Sequence, residues 1–373
     1  MAVTNLGTSC AIIGGGYAGI ATAIELHKLK SGTTVTLFDG RDRHQKITQW
    51  HKLARGEEPA KYEIEFRELA ERFNFRFVRK TINVAALLKN PIAELGGNFD
   101  AVVVAQGSHS PVQPAGVVTL DALRDDVNEK NRVKNLRNRH VSVIGGGPTG
   151  VQFAFEFAAR GNKVDLYEAR DRLLPTFDHS LGQTALKAAA AHGIEVKLLT
   201  EFLRFENGTV SGKSGDHHVT GEADYVLFVP GVRSTPAFTC DVYGRVEGLV
   251  APRFAAGTRS SAQQTEGYPT QQKFYAAGDN SYFSGRGLNT KSAQAAVRKG
   301  QHVARTLVAD AKGLPPKDYT YPELGYFVSL GPKNAVGYLL SQKTAFSGPA
   351  ALFMKEAIEK QYNLYLAGLN VYP

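Results

Sequence analysis

Residues 13–26 read IGGGYAGIATAIEL, and residues 144–157 repeat the pattern as IGGGPTGVQFAFEF. Each stretch follows a short apolar run, CAII (10–13) in the first case and HVSVI (140–144) in the second. Each continues into apolar residues at helical spacing. A further apolar run then closes on an acid: TVTLFD on Asp39, 20 residues past Gly19, and KVDLYE on Glu168, 18 residues past Gly150. Strand, Gly-x-Gly-x-x-Gly, helix, strand, acid is the pattern of a unit that binds a dinucleotide. Gly14 and Gly145 permit the tight turn. Gly16 and Gly147 let backbone approach a pyrophosphate, and Gly19 and Gly150 let helix and strand pack closely. The helix N-terminus offers aligned N–H groups to the phosphates. The acid sits where a carboxylate takes ribose hydroxyls.

Two such units predict an α/β chain with two Rossmann-like dinucleotide-binding domains and a small C-terminal segment. They also imply two dinucleotides, and an economical reason to hold two is to pass a hydride from a nicotinamide to a flavin. The length of 373 residues has room for this, and 43% hydrophobic with 21% charged residues is ordinary for a globular chain. Cys10 and Cys240 make neither a disulfide framework nor a Cys-x-x-Cys pair, so no metal site is expected. No apolar run approaches the roughly 18 residues of a membrane span. With no leader-like stretch before CAIIGGG, a cytoplasmic protein is expected. The net charge is +9, and residues 271–373 carry +6 of it, from 12 Lys/Arg against 6 Asp/Glu. A basic C-terminal part suits an acidic membrane face or nucleic acid, or nothing beyond solvated lysines. No recognition motif supports nucleic acid as a partner.

KFYAAGDNS (273–281) is an apolar run closing on Gly278-Asp279, followed by the helical SAQAAVRKGQHVARTL. VVVAQGS (102–108) and VLFVPGVRS (226–234) have the strand-then-glycine form of connectors. Together with the two loops, these marks resemble the two-dinucleotide flavoprotein superfamily. The resemblance implies FAD at the first loop, with Asp279 on the ribityl chain and the next helix aimed at the isoalloxazine, and NAD(P)H at the second loop. It implies cofactor contacts from Gly14, Gly16, Tyr17, Ala18, Gly19, Asp39, Gly40, Arg41, Gly107, Gly278, Asp279 and Ala293 for the flavin. For the nicotinamide nucleotide it implies Gly145, Gly147, Pro148, Thr149, Gly150, Glu168 and Gly231. Expected domains are 1–113 with 241–322 for FAD, 114–240 for NAD(P)H, and 323–373 as a C-terminal interface or membrane-surface segment.

Disulfide reductases of this architecture need paired cysteines near the flavin, as sulfide:quinone oxidoreductases do; neither requirement is met. RDRHQKITQWHKLARGE (41–57), EARDRLLP (168–175), KSAQAAVRKG (291–300) and the stretch from Tyr326 to Lys360 resemble the type II, non-proton-pumping NADH:quinone oxidoreductases. Gln152 stands where that family usually has glutamate, and Arg298 where its quinone helix has a second glutamine; Gln294 is retained. Gln152, Gln294 and Arg298 are the candidate catalytic residues. Gln152 cannot exchange a proton, and Arg298 adds a fixed charge that suits an anionic acceptor. NADH is expected over NADPH because Glu168 repels the extra phosphate.

The resemblance implies electrons passed from NADH through FAD to a quinone. Alternatives are another acceptor, either a small redox protein or an anionic small molecule, and a flavoprotein that binds nucleic acid or another partner. A homodimer is expected. Between Pro349 and Leu369, helical spacing sets Met354, Ile358, Tyr362, Tyr365 and Leu369 on one side and Lys355, Glu356, Glu359 and Lys360 largely on the other. With Tyr372 nearby, such a helix suits a membrane interface, its own body or a dimer partner.

Overall fold

The computed structural model describes residues 7–234, 236–248, 272–285, 287, 289–321 and 323–371, so Tyr372 lies outside the described residues. The chain forms two compact units, one from residues 1–45, 64–108 and 234–321, the other from 46–63, 109–233 and 322–373.

In the first unit a five-stranded parallel sheet runs in the order Lys273–Ala276, Ala101–Val104, Ser9–Ile13, Thr34–Asp39, Arg76–Arg79. Strands buried on both faces read as unbroken apolar runs, as CAII and VVV do. The helix Tyr17–Lys28 follows the first strand and lies against the long helix Ala293–Ala311. Small residues set that contact. A Cβ on Gly300 would fall 2.2 Å from the Ala18 carbonyl oxygen, and Thr22 Oγ1 donates to the carbonyls of Ala18 and Gly300 at 2.9 and 3.2 Å. Glu25 and Arg305 add an ion pair at 2.7 Å.

The second unit repeats the plan, with parallel strands in the order Ile194–Lys197, Lys163–Tyr167, His140–Ile144, Tyr225–Phe228, Val118–Thr119. The helix Pro148–Ala158 follows the His140–Ile144 strand. An antiparallel sheet of Glu201–Glu206, Thr209–Ser214 and His217–Glu222 is inserted before the last long strand. Residues 323–371 supply a second antiparallel sheet, Gly325–Ser329, Ala335–Leu339 and Ala345–Gly348, and the helix Pro349–Leu366.

Residues 46–63 join this unit through a buried charge. Glu156, fully buried on the Pro148–Ala158 helix, receives two bonds from Arg55, Nε to Oε2 at 3.0 Å and a terminal nitrogen to Oε1 at 2.6 Å. Burial alone would lower the Arg55 pKa, but Glu156, with smaller contributions from Glu57 and Tyr62, holds it above the usual value. Trp50, Leu53 and Tyr62 enter the same apolar core as Phe153, Phe155 and Phe157.

The C-terminal helix departs from the expected faces. It buries Ala351, Lys355, Tyr362, Tyr365 and Leu366, while Phe353, Ile358 and Leu364 are exposed, as is Leu369 beyond it. The physical reason is a charge network. Lys355 Nζ bonds Glu359, Glu359 also accepts from Lys52, and Lys46 Nζ donates to Asn363 Oδ1 at 3.0 Å. A lysine can enter an interior when a carboxylate one turn away comes with it. Burial still pushes the Lys355 pKa down. His51 lies beside it, Nε2 3.5 Å from Nζ, and is held well below its ordinary pKa by burial and by the Lys355, Lys52 and Arg55 charges.

Two outcomes follow for the second unit, both readable from Trp50, the one tryptophan of the chain. Arg55→Met leaves the Glu156 carboxylate buried without its main partner and costs about 3–5 kcal/mol in urea unfolding, whereas Arg55→Met with Glu156→Leu recovers most of that loss. Separately, the unfolded chain takes up a proton on His51 below pH 6.5 that the folded chain refuses. The Trp50 unfolding midpoint therefore falls as pH drops below 6.5, and His51→Gln makes that fall shallower.

Candidate functional site

The first loop is built around the peptide of its middle glycine. Gly15 N–H donates to Asp39 Oδ2 at 2.8 Å, and Asp39 Oδ1 accepts from Arg41 N–H at 2.9 Å. Gly14 has φ +102, and a Cβ there would stand 2.6 Å from the Ala105 carbonyl oxygen. A Cβ on Gly19 would reach to 1.9 Å of the Gly14 oxygen. Around the Cβ position of Gly16, by contrast, no atom of the described residues lies within 4 Å. Two glycines are thus demanded by the protein's own backbone, and the third faces open space at the start of the Tyr17–Lys28 helix. That is the cradle a pyrophosphate requires.

The remaining candidates of this unit gather on the same sheet. Tyr17 and Ala18 open the helix, and Ala18 Cβ would lie 3.0 Å from a Cβ on Gly278. Gly40 follows Asp39, with no room for a side chain against Thr81. Asp279, half-buried at the end of the adjoining strand, accepts from Ser108 Oγ at 2.8 Å, while Ser234 Oγ donates to its backbone carbonyl at 2.8 Å. Burial raises the Asp279 pKa, and the Ser108 bond works against that rise. Gly107, beside Ser108, has φ +73 and open space around it.

Lys299 holds the turn that follows Asp279. Its buried Nζ donates to Ser281 O at 2.6 Å, to Ser281 Oγ at 3.3 Å and to Asn289 Oδ1 at 3.2 Å, and it lies 4.7 Å from the centre of the Phe283 ring. Burial pushes its pKa down to about 8, with the Cys240 thiol and Asp279 opposing. Ala293, Gln294 and Arg298 follow the Ser292 cap on the long helix, with Gln294 and Arg298 half-buried one turn apart. Arg298 Nε is buried and has no hydrogen-bond partner among the described residues.

In the second unit the geometry recurs. Gly146 N–H donates to Glu168 Oε2 at 2.6 Å, and Glu168 Oε1 accepts from Arg170 N–H at 2.8 Å. Gly145, at φ +114, would place a Cβ 2.4 Å from the Val229 oxygen; Gly150 would place one 1.8 Å from the Gly145 oxygen. Gly147 is open, and Pro148 and Thr149 form the first helical turn after it. Gly231, at φ +135, is open as well. Gln152, buried one turn further on, accepts from Ser329 Oγ at 3.2 Å and from Ser329 N–H at 3.4 Å. Gln152 therefore belongs to one unit, and Gln294 with Arg298 to the other.

Sequence reading missed Ser108, Ser234, Lys299 and Ser329. Ser108, Ser234 and Ser329 act through contacts distant in sequence, although Ser108 directly follows the Gly107 already singled out, and Lys299 acts on the turn that precedes its own helix. Cys10 and Cys240 are buried with their thiols each pushed up to about 12, which suits small core residues and not reactive thiols. Among the described residues no group of three or more metal-ligating side chains comes together.

Gly16 and Gly147 carry a direct test, since both have ordinary extended backbone and no neighbour to displace. On the expectation that the first loop holds FAD and the second NADH, Gly16→Leu yields folded, colourless protein, and Gly147→Leu yields yellow protein that no longer binds NADH. Circular dichroism, bound-flavin absorbance and NADH titration check the pair. A Gly16→Leu protein that keeps its flavin would overturn the assignment of the first loop.

The family model for pyridine nucleotide-disulphide oxidoreductases matches residues 8–300. The type II NADH:quinone oxidoreductase of Staphylococcus saprophyticus is 24% identical, with 96% of each chain covered, and that of Staphylococcus epidermidis is 25% identical with the same coverage. Among solved structures, NDH2 from Plasmodium falciparum in complex with NADH superposes with a TM-score of 0.74 at 14% identity, covering 94% of both chains. The sulfide:quinone oxidoreductase from Aquifex aeolicus gives 0.75 at 15%, covering 98% of this chain and 93% of its own. The chain belongs to the pyridine nucleotide-disulphide oxidoreductase family.

Proposed function

We propose that this protein is an FAD-dependent NADH dehydrogenase that hands its electrons to a quinone, in the manner of the relatives named type II NADH:quinone oxidoreductases. The observation that carries this reading is the pair of loops, each with its middle peptide bound to an acid and its second glycine left open. FAD, held by Gly14, Gly16, Gly19, Asp39 and Asp279, supplies an acceptor for a hydride and a donor for a second substrate. Gly145, Gly147, Gly150 and Glu168 hold NADH. The Glu168 carboxylate has capacity for ribose hydroxyls beyond its two backbone N–H donors and repels a 2′-phosphate.

Gln294 and Arg298 face the acceptor in this reading. Gln152, locked on Ser329 and unable to release a proton, leaves proton delivery to another group. The buried Nε of Arg298, without a hydrogen-bond partner among the described residues, favours a second acceptor class, a quinone-like molecule bearing an anionic substituent. Contact with a membrane surface is part of the proposal. No helix among the described residues is long and apolar enough to cross a bilayer. Exposed Phe353, Ile358, Leu364 and Leu369, with Leu340 at 78% exposure, offer apolar side chains to an interface.

Anaerobic rapid mixing tests the reading in two halves. NADH bleaches the flavin, and faster than NADPH by about tenfold or more; equal rates would remove Glu168 from its role. A soluble quinone then restores the flavin colour. Gln152→Glu with Arg298→Gln speeds that second half and leaves the first unchanged, because the two substitutions supply a titratable group and remove a fixed charge at the acceptor. A neutral quinone that reoxidises the unsubstituted protein no slower than the double variant would show both residues to be neutral for this acceptor.

A further inference from the structure

The two loops differ in how the carbonyl of the middle glycine is held. In the second, the Gly146 carbonyl accepts from the Leu174 backbone N–H at 2.8 Å, so the middle glycine is held at its N–H by Glu168 and at its C=O by main chain. In the first, the Gly15 N–H is held by Asp39, but its carbonyl oxygen lies 2.9 Å from His44 Nδ1. His44 stands on the short strand Arg43–Gln45, is fully buried, and meets the edge of Tyr17 with ring centroids 5.4 Å apart. A carbonyl oxygen can only accept, so Nδ1 carries the proton and donates. A side chain here does what a backbone amide does in the other loop.

That bond has a directional consequence. The C=O of Gly15 and the N–H of Gly16 belong to one planar trans peptide and point opposite ways. Anchoring the oxygen on His44 therefore turns the Gly16 N–H away from His44. Gly16 is the residue whose Cβ position is open, the cradle for a pyrophosphate. On the reading that the first loop holds FAD, we propose that His44 is the positioning residue of that loop, a donor whose bond to the Gly15 carbonyl aims the Gly16 N–H at the diphosphate. The second loop needs no such side chain, and this makes it an internal control.

Asparagine and leucine are near-isosteres that differ in carrying or lacking an N–H donor. His44→Asn and His44→Leu are therefore compared in full-length protein stripped of flavin and reconstituted. FAD affinity is read by flavin fluorescence, the bound diphosphate by its phosphorus resonances, and the second loop by calorimetric titration with ADP-ribose. His44→Leu is expected to weaken FAD binding about tenfold, the worth of one buried hydrogen bond, and to shift the phosphorus resonances. His44→Asn recovers most of both, and ADP-ribose affinity stays within about twofold throughout. His44→Phe, which keeps a ring without a donor, reads the same effect if the leucine variant does not fold. Equal FAD affinity in the unsubstituted, Leu and Phe proteins would overturn the proposal. So would an Asn variant as weak as Leu, which would make the role one of packing. If the unsubstituted apoprotein takes up no FAD at all, the reading of the first loop falls, and the inference with it.

Discussion

A carboxylate accepting the N–H of a middle glycine is the contact on which both units depend. Asp39 does this for Gly15 and Glu168 for Gly146, at 2.8 and 2.6 Å. The bond ties the end of the second strand of each unit back to the start of the helix that precedes it, across a single parallel strand pair. It can form only if the turn is tight, and the turn is tight only because Gly14 and Gly145 adopt backbone that other residues avoid. Charge-assisted bonds to backbone N–H groups are among the stronger ones available. The acid thus acts as a strut for its own loop even before any ribose is considered.

Around that strut the units diverge in how they are finished. The first closes its sheet with the strand Lys273–Ala276 and sets Asp279 just past its end, steadied by two serines, with Lys299 holding the turn that follows. The second covers its helix with the C-terminal sheet, whose Ser329 reaches Gln152. Both additions fix a polar side chain of the unit through partners distant in sequence, Asp279 through Ser108 and Gln152 through Ser329.

This explains what could be read from the sequence. The loops were legible because their chemistry is local: three glycines, an acid and two apolar runs lie within about 30 residues of one another. Gly278-Asp279 was legible because a strand ends on it. The C-terminal helix was misread for a physical reason. Periodicity assigns lysine to solvent, and only the tertiary pairing of Lys355 with Glu359 and Lys52 reverses that assignment, leaving Phe353 and Ile358 outside. The same holds for Glu156, an acid inside an apolar helix until Arg55 is known to face it. Ser234 and Ser329 carry no local signal at all.

The interleaving of the two units also bears on how the protein is made. Residues 1–45 and 64–108 supply four of the five strands of the first sheet, but the fifth, Lys273–Ala276, leaves the ribosome only after the whole of 109–233. The first glycine loop is synthesised early and waits for Asp279. Meanwhile the strand Ala101–Val104 has an unpaired edge of buried apolar residues, a template for misassociation. All five strands of the parallel sheet that carries the second loop are synthesised before the last strand of the first sheet. The final docking of a single strand onto Ala101–Val104 closes the exposed edge and, in the same step, sets Asp279 in place.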